Sequence, residues 1–104
     1  MAVQEIGGNI ILSNFNLDKQ EIIVAKKIAG KYAEKIAHFT PYQELKLEMK
    51  ENQRERIKFE IRALLTFDGG KAISNTEGDN VFVILDEVLR KVLAEVEHKI
   101  RKKN

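Results

Sequence analysis

Hydrophobic residues recur along this chain with two different periods. From Glu44 to Lys50 they alternate, with Leu45, Leu47 and Met49 on one side and Lys46, Glu48 and Lys50 on the other. From Arg56 to Ala63 the pattern repeats, with Ile57, Phe59, Ile61 and Ala63 opposite Lys58, Glu60 and Arg62. Period two with charge on one side predicts strands of a sheet that has one wet face. Asn52-Gln53-Arg54-Glu55 reads as the turn between them, and Leu64-Leu65 breaks the alternation, which predicts a bulge or a strand end. Asn9 to Phe15, rich in isoleucine and punctuated by asparagine, reads as a further short strand. Residues 1–8 read as a loose lead-in.

The period changes to 3.6 after Asp18. Val24/Ala25, Ile28/Ala29, Tyr32/Ala33 and Ile36/Ala37 recur at helical spacing, with lysines and Glu34 between them. Asn16 or Asp18 is the expected cap; if it is Asp18, Glu21 three residues on completes a capping-box pair. Thr40-Pro41 ends the helix near His38, because the residue before proline is pushed out of the helical region. Asp68-Gly69 marks a hairpin turn whose two central residues favour positive φ. Lys71 to Thr76 then reads as a short polar edge strand. Gly78-Asp79-Asn80 opens a second helix with the apolar stripe Val81, Phe82, Leu85, Val88, Leu89, Val92, Leu93, Val96 and Ile100. Such a helix is about 33 Å long. Strands of five to seven residues span about 17–24 Å, so the basic helix end is expected to project beyond the sheet. The order β-α-β-β-β-α predicts an α+β two-layer sandwich, with two helices packed on one face of a four-stranded sheet and the other face open.

Composition narrows the function. A chain of 104 residues is expected to form one domain. It has no cysteine, so disulfides and thiolate metal sites are excluded. No apolar run approaches the ~18 residues of a membrane span, and the N-terminus lacks the basic start and apolar core of a signal peptide. A cytoplasmic protein with no membrane partner is expected. His38 and His98 stand far apart with no metal-ligand spacing. Asp86-Glu87 and Glu95/Glu97 read as surface charge. Gly69-Gly70 is a turn, since no phosphate-loop pattern follows. Tyr32 and Phe82 read as core. With no nucleophile–base pair, metal set or cofactor motif, neither an enzyme nor a small-molecule substrate nor a cofactor is expected.

The net charge is only +2, so distribution matters more than the sum. Lys27, Lys31 and Lys35 lie at i, i+4 and i+8 on one helical line. Like charges at that spacing cost a few tenths of a kcal/mol per pair; the row reads either as a solvated face or as a site where a phosphate partner relieves the repulsion. Lys99, Arg101, Lys102 and Lys103 form a second cluster at the helix end, where cations also complement the macrodipole. On the open sheet face Lys46, Lys50, Lys58 and Arg62 alternate with Glu48 and Glu60. They form either cross-strand pairs or a contact surface for a protein.

The element order resembles a known family on several residues: Gly69-Gly70 with the polar strand after it, Glu77-Gly78, Phe82 in the first turn of the second helix, Leu85-Asp86, Lys91, and the basic end from Lys99 to Lys103. Lys31-Tyr32-Ala33 and the run to Phe39 sit in corresponding places in the first helix. From about Ile10 onward the chain is similar to the short ribosome hibernation-promoting factors, also called ribosome-associated translation inhibitors. The resemblance implies a fold related to the double-stranded RNA-binding domain. It implies a partner, the small ribosomal subunit and its rRNA, in the channel between head and body. Occupying the messenger and transfer RNA sites there inhibits translation and protects idle ribosomes. Lys31, Lys91, Lys99 and Lys102 match places where the family tends to be basic, and Lys27, Lys35, Arg90, Arg101 and Lys103 lie on the same surfaces. Glu34, Glu95 and Glu97 depart from the family, standing where cations are common, and weaken the positive field. A homodimer is compatible with this reading but is not predicted. The alternative reading is a small α+β interaction module that dimerises or binds a protein through its exposed sheet face.

Overall fold

A computed structural model describes residues 3–6, 9–52 and 58–102. Its elements are β1 (Val3–Ile6), β2 (Ile10–Ser13), α1 (Lys19–Phe39), β3 (Tyr42–Asn52), β4 (Lys58–Phe67), β5 (Gly70–Gly78) and α2 (Val81–Lys102). The strands lie side by side in chain order, β1-β2-β3-β4-β5. β2 and β3 run parallel, connected through α1, and every other pair is antiparallel. The expected β-α-β-β-β-α order and two layers are present, and β1 adds a fifth strand to the edge of the expected four.

That strand corrects the reading of residues 1–8 as a lead-in. All four residues of β1 pair with β2, from Val3↔Ser13 to Ile6↔Ile10, so the backbone polar groups on that side of β2 are matched by a neighbour. The sequence signal is Gly7-Gly8 between two short runs, a dipeptide typical of hairpin connections.

β2 stops at Ser13 because Asn14 turns into the left-handed region (φ 61°), which asparagine tolerates better than most residues. Asp18 caps α1. Its carboxylate accepts from the Glu21 N–H at 2.8 Å and the Glu21 side chain accepts from the Asp18 N–H at 3.2 Å, closing the capping box. Thr40 leaves the helix with extended backbone (φ −162°). β4 runs through Leu64 and Leu65 without a break in register; the irregularity lies in β3 between Tyr42 and Glu44. Leu64 therefore keeps its alternate position, half-buried on the outer side, while Ala63 and Leu65 are buried. Asp68-Gly69 does form the two-residue turn, but the positive φ falls on Gly70 (133°) rather than on its central residues. Of the expected Asn52–Glu55 turn, Asn52 ends β3 and residues 53–55 lie outside those described.

The core is continuous between the layers. Leu12, Leu45, Leu47, Ile61 and Leu65 from the sheet meet Ile36, Leu85, Val88, Leu89, Val92 and Val96 from the helices, all without solvent exposure. Each such side chain contributes about 1.5–3 kcal/mol of burial. α2 lies over β4 and β5, and α1 packs against α2 and over β2 and β3. The α1 stripe is narrower than its sequence pattern, since Val24 and Ala37 are exposed. At Gly78 a Cβ would fall 2.7 Å from Ile84 Cγ2; glycine there lets the start of α2 close down on the end of β5. Asn80 caps α2, its side-chain oxygen accepting from the N–H groups of Phe82 and Val83. No helix among the described residues is long and apolar enough to cross a membrane.

Candidate nucleic-acid interface

The two helices meet at Tyr32. Its ring is buried (5% exposed) and its hydroxyl donates to Asp86 Oδ1 of α2 at 2.8 Å. The other Asp86 oxygen accepts from the Arg90 guanidinium at 2.5 Å, one turn on. Lys31 and Lys35 place their ammonium groups 5.9 and 5.2 Å from the Tyr32 ring centre, contacts worth about 0.5–1 kcal/mol at exposed sites. Three of the expected cations, Lys31, Lys35 and Arg90, are thus gathered around one tyrosine–aspartate link. Sequence reasoning placed Tyr32 in the core and Asp86 among surface charges. The i, i+4 spacing of Asp86 and Arg90 was the available signal, whereas the link to Tyr32 spans 54 positions and has no local signature.

The link sets the ionisation of its members. The hydrogen bond from Tyr32, opposed by partial burial, holds the Asp86 carboxyl below the usual carboxylate range, with Arg90 and the Lys31 charge adding to it. Burial, then the bond to Asp86, pushes the Tyr32 hydroxyl up. Around neutral pH the carboxylate is charged and the phenol is its donor.

The other expected cations are divided by what stands next to them. On α2, Lys99 pairs with Glu95 at 3.6 Å and Arg101 with Glu97 at 2.8 Å. The Lys99 ammonium also donates to the Lys71 carbonyl of β5. Two of the acidic departures are therefore direct partners of α2 cations. The helix end does not stand free of the sheet up to that point: β3 and β4 are 11 and 10 residues long, longer than expected, and Ile100 packs partly buried against the core. Lys91 is rotated about 100° around the helix axis from Arg90, onto the line that continues through Glu95 and Lys99. Arg90 and Lys91 thus serve different flanks of α2. Lys102 closes the helix, and Lys103 lies outside the described residues.

On α1 the situation is reversed. Lys27, Lys31 and Lys35 are all exposed, and among the described residues none forms an ion pair. Glu34 is exposed beside them and likewise forms none. Phe39, four residues beyond Lys35, is 44% exposed and extends the line with an aromatic ring, a feature the sequence reading did not single out.

The outer sheet face is mixed in sign. Register sets Glu48 opposite Arg62 and Lys50 opposite Glu60, and shallow grooves there are lined by Lys46, Glu48, Arg62 and Leu64. This pattern balances its own charge across strands and offers no continuous field to a polyanion.

The five-stranded sheet with two helices on one face is an α+β architecture that solved structures share. Two solved structures carry the likeness. One is a ribosomal subunit interface protein from Coxiella burnetii, 13% identical, with a TM-score of 0.66, covering 93% of this chain and 100% of that one. The other is the N-terminal domain of Protein Y from Thermus thermophilus, 11% identical, with a TM-score of 0.60, covering 86% of this chain and 93% of that one. No family model matches the chain and no curated protein matches it in sequence. At these identities the likeness is one of fold.

Proposed function

We propose that the protein binds the ribosome through phosphates of small-subunit rRNA. By occupying the messenger and transfer RNA channel it inhibits translation and protects idle ribosomes. The observation that carries this reading is the α1 row: three exposed lysines at one-turn spacing, without acidic partners among the described residues, on a fold shared with ribosomal subunit interface proteins. Like charges on one helical line repel one another, and binding phosphates offsets that repulsion as the phosphates' condensed counterions are released to solution. Lys31 and Lys35 are also steadied by the Tyr32 ring, so less side-chain entropy is lost when they bind.

In this mechanism no bond is made or broken. Lys27, Lys31 and Lys35 form the main contact, and Lys91, which forms no ion pair among the described residues, adds a cation on the other flank. Arg90, Lys99 and Arg101 contribute less because each already holds an acid. Lys102 and Lys103 extend the contact at the C-terminal end. Selectivity comes from the shape of folded RNA rather than from base edges.

The test is co-sedimentation with small ribosomal subunits at low and high salt, with transfer RNA as competitor. Saturable, salt-sensitive binding that transfer RNA displaces is the expected result. Absence of binding at low salt would leave the shared fold without the shared partner.

A further inference from the structure

β5 is the open edge at the far end of the sheet from β1. Nine residues long, it has no strand on its outer side among the described residues, and such an edge is the usual template for another strand. The Lys71 carbonyl accepts from the Lys99 side chain and so points away from β4. Alternation along an antiparallel strand then turns the N–H and C=O groups of Lys71, Ile73, Asn75 and Glu77 to the open edge. Their side chains lie on the outer face, all exposed, with Ile73 at 59%.

The two ends of this edge carry opposite charges, Lys71 at one and Glu77 at the other. Glu77 sits directly opposite Glu60 of β4, an unfavourable like-charge pair; Lys58 approaches Glu77 at 4.0 Å and the Asn75 side chain donates to Glu60 at 2.7 Å, so the exposed Glu77 keeps only a long ion pair among the described residues. At the other end Lys71 sits opposite Thr66 and forms no ion pair among the described residues. We propose that β5 pairs antiparallel with β5 of a second copy of this chain, about a two-fold axis at Ser74. That register sets Lys71 of each copy opposite Glu77 of the other, twice by symmetry, and Ile73 opposite Asn75. The two Ile73 side chains become diagonal neighbours across the axis, within reach of each other. The outward-facing residues 71, 73, 75 and 77 are then the ones that exchange ladder hydrogen bonds, as the geometry requires. Centring on Ile73 instead would leave Lys71 opposite Asn75, and centring on Asn75 would set Ile73 against Glu77, so charge selects the Ser74 register. Lys99 need not be expelled, because a carbonyl oxygen has two lone pairs. The surface is distinct from the α1 row and the pairing does not depend on RNA binding.

Sedimentation equilibrium of the full chain at concentrations bracketing about 0.1 mM tests this. A reversible dimer is expected for the wild type. Lys71→Glu and Glu77→Lys are each expected to raise its Kd at least about tenfold, and the double variant with both changes to return it toward the wild-type value. Ile73→Pro removes an edge-facing N–H that β4 does not use, so circular dichroism should remain native while the dimer is lost. A wild type that stays monomeric throughout would overturn the proposal. So would a dimer indifferent to the single charge reversals, or one that the double variant fails to restore.

Discussion

The two helices carry similar numbers of cations and use them differently. On α1, Lys27, Lys31 and Lys35 follow one another at one-turn spacing with no acid in the row. On α2, Arg90, Lys99 and Arg101 each have an acid one turn earlier and are paired with it. Exposed i, i+4 pairs add only about 0.3–0.5 kcal/mol to a helix, so stability is a weak reason for them. Their larger effect is on the field outside, where a paired cation is nearly cancelled at the distance of an approaching phosphate. A count of lysines and arginines therefore overstates α2 and understates the contrast between the helices.

The largest test reverses the α1 row. Three phosphate contacts predict a fall in affinity of about 20- to 40-fold between roughly 50 and 200 mM salt. Lys27→Glu, Lys31→Glu and Lys35→Glu together should remove that salt dependence and lower small-subunit affinity at low salt by at least as much. Arg90→Glu, Lys99→Glu and Arg101→Glu, an equal change of formal charge on α2, should cost distinctly less. Equal losses from the two triples would erase the contrast and point to net charge alone.

The converse experiment frees α2. Glu95→Gln with Glu97→Gln leaves Lys99 and Arg101 unpaired. Filter binding or sedimentation across salt should then show a steeper slope, by about 0.7–0.9 for each cation that engages a phosphate, which amounts to about threefold per cation between roughly 50 and 200 mM salt. An unchanged slope would mean that the α2 end does not reach the RNA.

A smaller effect is expected where the rows are joined. Tyr32→Phe removes the donor that links α1 to Asp86. The bond ends on a charged acceptor but is only partly buried, so its loss should cost about 1 kcal/mol in urea unfolding at pH 7. The sign with pH follows from Asp86. Its folded-state carboxyl lies below its ordinary value, chiefly through Tyr32, so its stabilisation is complete above the unfolded pKa of about 4 and is lost as pH falls through the lower folded value. The gap between wild type and Tyr32→Phe should therefore be constant near neutrality and close in acid. A gap that persists at low pH would mean that the hydroxyl acts through packing instead.

Much of this arrangement was legible in the sequence, and the exceptions share a cause. The alternation in β3 and β4, the Asp18–Glu21 capping box, the stop at Thr40-Pro41 and the stripe of α2 are local signals read from neighbours within a turn or a strand. β1 was missed because four residues carry too short a pattern to declare themselves; its identity as a strand comes from pairing with β2. Leu64 was misread because consecutive leucines look like a broken period when one of them is merely a half-buried residue on the outer face. For the candidate site, the α1 line follows from spacing alone, and so do the acids on α2. What the sequence could not supply was the Tyr32–Asp86 bond, which ties the rows together across the helix interface.

The smallest change serves as the control for all of these. Thr76 faces the core of β5, 7% exposed, and among the described residues its hydroxyl has no hydrogen-bond partner. A buried hydroxyl without a partner carries a desolvation cost that a methyl group does not. Thr76→Val keeps the shape and the β-branching and should be neutral or stabilising by a few tenths of a kcal/mol to about 1 kcal/mol. It changes no charge on either helix, so affinity for small subunits and its salt slope should stay at the wild-type values even as the unfolding midpoint rises. If affinity instead followed stability in this variant, losses seen on reversing the α1 row would have to be reread as losses of folded protein, and the contrast between free and paired cations would no longer be what the binding measures.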